Sequence, residues 1–165
     1  MRISHLFLAA TLSGVLGSFT LGAQAADDAI RIKSIVQIEI EVAAKGGKKT
    51  LKRIPVENAV PGTEVIYTTT FENMIDKAVG NIVINNSIPN NTEYKAGSAY
   101  GKNCEILFSA DGGKNFASAE TLKITEANGK ERAALPKEYT DMRWIYKGLL
   151  AAGKTGEVGF RTVIK

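Results

Sequence analysis

The chain is poor in the residues that carry most enzyme chemistry. Its 165 residues include one histidine, one cysteine and one tryptophan. The histidine, His5, sits in a hydrophobic N-terminal stretch that reads as a removable leader. Beyond that stretch there is no imidazole for acid–base catalysis, a serine triad or a Cys–His dyad. A closed zinc site of Cys and His ligands is excluded for the same reason. No serine is followed three residues later by lysine, so the Ser-x-x-Lys nucleophile is absent too. Acidic residues are spread thinly, with no close pair of the kind that marks a glycosidase. The formal charge is +4, or +3 once Arg2 is removed, too mild a balance to argue for nucleic acid.

The leader has three parts. Arg2 is a short positive region, an apolar stretch follows from Leu6 to Leu21, and Ala23-Gln24-Ala25 forms an A-x-A cleavage pattern. The apolar stretch is interrupted by Thr11, Ser13, Gly14, Gly17, Ser18 and Thr20, so it reads as a signal peptide rather than a spanning helix of about 20 apolar residues. The expectation is cleavage before Ala26 and export to the periplasm or beyond. Residues 1–25 are then the signal peptide and 26–165 a single domain. A domain of that size buries roughly two-thirds of its unfolded surface and needs no disulfide or metal to fold. Lone Cys104 reads as a small apolar filler, with an intermolecular disulfide as the sharper alternative.

What is present is alternation. Ile32, Ser34, Val36, Ile38, Ile40 and Val42 share one parity, and Arg31, Lys33, Gln37, Glu39 and Glu41 the other. That period of two predicts a strand with one face buried. Ala44 to Lys48 then reads as a hairpin turn, because Gly46-Gly47 tolerates positive φ. Leu51 to Val56 is a weaker strand. Pro55 puts it at an edge or bulge, since proline donates no ladder hydrogen bond. Further strands are read around Val65–Phe71, Asn81–Ile88, Glu93–Ala96, Cys104–Phe108, Leu122–Ile124, Met142–Tyr146 and Val158–Ile164. Leu135 to Asp141 has room for one helical turn. About eight or nine short strands, punctuated by Gly, Asn and Pro, predict an all-β antiparallel sandwich or barrel. Tyr67, Phe71, Phe108, Trp144 and Phe160 alternate within these strands and read as core.

Few features suggest chemistry. Gly46-Gly47-Lys48-Lys49-Thr50 faintly echoes a phosphate loop, but a strand follows where a helix is required. Asp111-Gly112-Gly113 offers too few oxygens for calcium and reads as a turn. Lys45, Lys48, Lys49, Lys52 and Arg53 form a basic cluster. It is either a solvated hairpin that discourages edge pairing or a contact for an anionic polymer or surface. No catalytic residue, cofactor site or metal site is expected, and nucleic acid is not an expected partner.

Several segments in order resemble one family. Val60-Pro61-Gly62 precedes Val65-Ile66-Tyr67 and Asn73, then come Ile88-Pro89, Tyr94 and Gly97-Ser98. Ser109-Ala110-Asp111-Gly112-Gly113 with Phe116 follows, and last Arg143-Trp144, Gly153, Gly156, Val158 and Phe160. Over residues 54–165 the chain resembles the bacterial conserved-repeat domain of unknown function, number eleven. It departs at Asn86, where that family has Asp, and it lacks the family's Gly soon after Asn73. The resemblance implies an immunoglobulin-like β-sandwich on an exported or cell-surface protein, with no general catalytic activity. The resulting expectation is a non-enzymatic structural or adhesive interaction module of the periplasm or cell envelope. Its candidate partners are an envelope protein or a polysaccharide. The alternative is a soluble binding protein for a polysaccharide or other envelope ligand.

Overall fold

The computed structural model describes residues 29–43 and 48–165. The leader, its cleavage site, and Lys45 with the Gly-Gly turn lie outside the described residues. The chain is all-β, and its sheets are antiparallel. Among the described residues there are eleven strands, where the sequence suggests eight or nine. They are β1 (Ile30–Ala43), β2 (Lys49–Pro55), β3 (Glu64–Asn73), β4 (Val83–Ser87), β5 (Thr92–Tyr94), β6 (Tyr100–Gly101), β7 (Cys104–Ser109), β8 (Lys123–Thr125), β9 (Glu131–Ala133), β10 (Asp141–Tyr146) and β11 (Thr155–Ile164). The two not read from the sequence are β6 and β9, pieces of two and three residues, too short to show a period. One 3-10 turn, Pro136–Glu138, occupies the place where a single helical turn is expected.

The larger sheet has the order β2-β1-β3-β11-β5, with β6 also on β11. The smaller has the order β4-β10-β7, and β8-β9 is a separate hairpin. Phe71, Val158 and Phe160 from the larger sheet share one core with Ile84, Phe108, Met142 and Trp144 from the smaller. Burial of these side chains supplies the main stabilisation, at roughly 1.5–3 kcal/mol for each large one. Of the five aromatics read as core, Phe71, Phe108, Trp144 and Phe160 are buried, and Tyr67 is partly buried but stacks on Phe160 with centroids 4.8 Å apart. The indole of Trp144 is fully buried, and its Nε1 donates to the Tyr100 carbonyl at 3.0 Å. Two glycines of β11 let it lie close against β3 within the larger sheet. A Cβ on Gly156 would collide with the Phe71 ring, and one on Gly159 would lie 2.5 Å from the Tyr67 carbonyl oxygen.

The Asp111 turn is held by its own carboxylate. It accepts from Ser109 Oγ at 2.7 Å, from the backbone N–H groups of Lys114 and Asn115 at 3.1 and 3.0 Å, and from Asn115 Nδ2 at 2.7 Å. These donors hold its pKa well below the usual range. They occupy the oxygens within the turn itself, the structural role its sequence suggests. Cys104 packs against the core, but less deeply than a filler role suggests. It is only partly buried, its Sγ donates to the Lys102 carbonyl at 3.6 Å, and partial burial pushes the thiol pKa up. It lies at the start of β7, packed against the margin of the core.

Candidate interaction surface

Strand β1 changes partner along its length. Ile30 to Gln37 pairs with β3, whereas Gln37 to Ala43 pairs with β2. The β1–β2 ribbon therefore runs past the start of β3 and forms one margin of the larger sheet. Pro55 falls on this edge strand, as its missing N–H requires.

The edge has a readable polarity. The Val56 N–H bonds the Val36 carbonyl, so in this register 38/54, 40/52 and 42/50 are the hydrogen-bonded pairs. The N–H and C=O groups of Lys49, Leu51 and Arg53 then point away from β1. Among the described residues no strand pairs with that side of β2.

Side chains on the ribbon divide by parity. Glu39 and Glu41 lie opposite Arg53 and Leu51 on one face, while Ile38 and Ile40 lie opposite Ile54 and Lys52 on the other. The basic cluster is thus not one patch. Lys49 pairs with Glu41 at 2.6 Å, and Arg53 with Glu39 at 3.1 Å. Lys52 projects from the opposite face, and Lys48 is exposed just before β2. Lys45 lies outside the described residues.

The ribbon is tied to the rest of the larger sheet by charge. Arg161 on β11 reaches Glu39 at 2.9 Å and Glu64 at 2.6 Å, and Lys95 also pairs with Glu64. Arg161 first, then Arg53, hold the Glu39 pKa down at about 2. Lys95 and then Arg161 hold Glu64 below its ordinary value, against partial burial. None of Arg161, Glu64 and Lys95 is conspicuous in the sequence, because Arg161 lies 122 positions from Glu39.

The apolar residues of β1 and β2 are not all covered. Ile32 is 54 % exposed and Leu51 66 %, with Ile35 and Val36 also open to solvent. Ile32 and Val36 share the parity read as buried, but the small sheet ends at β4 and leaves that face partly bare. A groove of about 590 Å³ between β1 and the segment leading into β4 is lined by Ile30, Ile32, Ile75 and Val83, with the last three exposed. Midway along this seam Ser34 and Asn86 both bond the Thr69 hydroxyl, at 2.9 and 3.0 Å. Scattered exposed aliphatics are ordinary, whereas Ile32, Ile75 and Val83 sit together around this groove. Among the described residues no helix is long and apolar enough to cross a membrane.

Compared with family models, curated proteins and solved structures, the chain finds no match.

Proposed function

We propose that this chain is an exported, non-catalytic interaction module of the bacterial periplasm or cell envelope, structural or adhesive in role. The observation that carries the reading is the β1–β2 ribbon, a projecting edge with outward-facing backbone groups and exposed Leu51 beside it. Strand addition to such an edge gives affinity through main-chain hydrogen bonds and specificity through alternate side chains. The signal-like leader and the resemblance to the conserved-repeat domain support the compartment and the immunoglobulin-like class. A polysaccharide receptor usually offers a stacking platform. Here Phe71, Phe108, Trp144 and Phe160 are committed to the core, which favours a protein contact.

The test is site-specific photo-crosslinking in the native host. A photoreactive residue replaces Leu51 in one strain and Leu149, exposed in a distant loop, in another. The reading expects discrete adducts from position 51 and none from 149. Equal yields, or none from 51, would remove the ribbon as the contact.

A further inference from the structure

We infer that the free edge of β2 accepts an extended acidic segment of a partner protein, added antiparallel. Carboxylates of that segment would lie opposite Lys52 and Arg53, with an apolar side chain opposite Leu51. This rests on the proposed role as an interaction module and specifies its partner chemistry.

Three observations carry it. First, the amides of Leu51 and Arg53 point outward, so an added strand would exchange hydrogen bonds with those residues in the same antiparallel sense as the rest of the sheet. Second, the charge on the ribbon is unbalanced. Lys48, Lys49, Lys52 and Arg53 stand against Glu39 and Glu41, and Glu39 is already shared with Arg161. Lys52 has no carboxylate within ion-pair distance among the described residues. Third, Leu51 lies exposed between these cations and lacks a cross-strand apolar neighbour, since Glu41 stands opposite it.

The same charges argue against a second copy. Two β2 edges paired about a two-fold axis at Leu51 would set Lys49 against Arg53 of the other chain, and like charges directly opposite destabilise a sheet. The cations thus block self-pairing while admitting a strand of opposite charge, which couples protection of an exposed edge to partner choice.

The probe is a capped heptapeptide, Thr-Glu-Glu-Val-Thr-Glu-Thr, with a counterpart carrying Lys in place of Glu. Amide hydrogen exchange of the full mature chain is followed residue by residue. Saturation with the acidic peptide is expected to slow exchange at Leu51 and Arg53 by about tenfold, while Thr50 and Lys52, already bonded to β1, change little. The Lys peptide gives no protection. The double variant K52Q/R53Q weakens binding by about three- to tenfold, and raising the salt to 1 M weakens it further.

Protection by both peptides alike would overturn the charge argument. Binding of polygalacturonate with no protection at Leu51 and Arg53 by the acidic peptide would assign the cations to an anionic polysaccharide instead. No binding of any probe would leave the lysines as a device against edge pairing, and would likewise overturn the inference. If adducts still form at position 51 in the host while the acidic peptide fails, the interaction module stands and the partner chemistry falls.

Discussion

Replacing Trp144 tests the central packing of the molecule. Its side chain is fully buried on β10, flanked in register by Ile84 of β4 and Ile106 of β7, and faces Phe160 across the core with centroids 6.0 Å apart. Trp144→Ala removes the whole indole and leaves a cavity that rigid strands on both sides cannot refill. The expected loss is about 3–5 kcal/mol, the usual cost of emptying a large aromatic site. Trp144→Phe keeps much of the volume but removes the Nε1–H donor, so the Tyr100 carbonyl loses its partner. That change is expected to cost about 1–3 kcal/mol. For a domain of this size each kcal/mol corresponds to roughly 3–5 °C in Tm, so the alanine variant should melt about 10–20 °C lower. Urea unfolding of the mature chain, followed by circular dichroism, measures both losses. A loss below about 1 kcal/mol for Trp144→Ala, in a normally folded chain, would refute the shared core between the two sheets.

Three further outcomes follow from local contacts. Because its folded pKa is depressed to about 2, Glu39 contributes stability that is full above the unfolded value near 4.5 and is lost as pH falls toward about 2. Unfolding curves of wild type and Glu39→Gln should therefore differ at neutral pH and converge near pH 2, and a constant gap across that window would break the assignment to Arg161 and Arg53. Gly156→Ala drives a Cβ into the Phe71 ring and should cost about 1–3 kcal/mol, so an unchanged melting temperature would contradict the close approach of β11 to β3. Cys104, partly buried with its thiol pKa raised, should react with a thiol reagent in the native state more slowly than after denaturation, and complete native protection would place it deeper than the start of β7.

The sequence showed strands more readily than layers. Alternation from Ile32 to Val42 is real and produces β1, but period two reports which side chains share a face, not whether a second sheet lies over it. Ile32 and Val36 are the consequence, patterned for burial yet exposed where the small sheet stops at β4. Pro55 was more informative, because its missing donor has a topological meaning and β2 is indeed an edge. The basic cluster is a case where nearness in sequence misleads. Alternation sends Lys52 to one face and Arg53 to the other, and two glutamates of β1 neutralise part of the row. The network through Arg161, Glu64 and Lys95 depends on strand order, which no local pattern encodes. Strands β6 and β9, which the sequence did not signal, exist mainly through the ladders that neighbours offer them.

The account stands or falls on whether the β2 edge is used through its backbone. Leu51→Pro removes one outward N–H while leaving the β1 ladder intact, since the hydrogen-bonded pairs on that side fall at 50, 52 and 54. With a photoreactive residue in place of Thr50, cross-linking in the native host is compared between the otherwise unaltered chain and the Leu51→Pro chain, with circular dichroism and Tm confirming that both fold alike. The account predicts that the adduct formed by the former disappears in the latter. An adduct of equal yield in the proline variant would contradict strand addition at this edge.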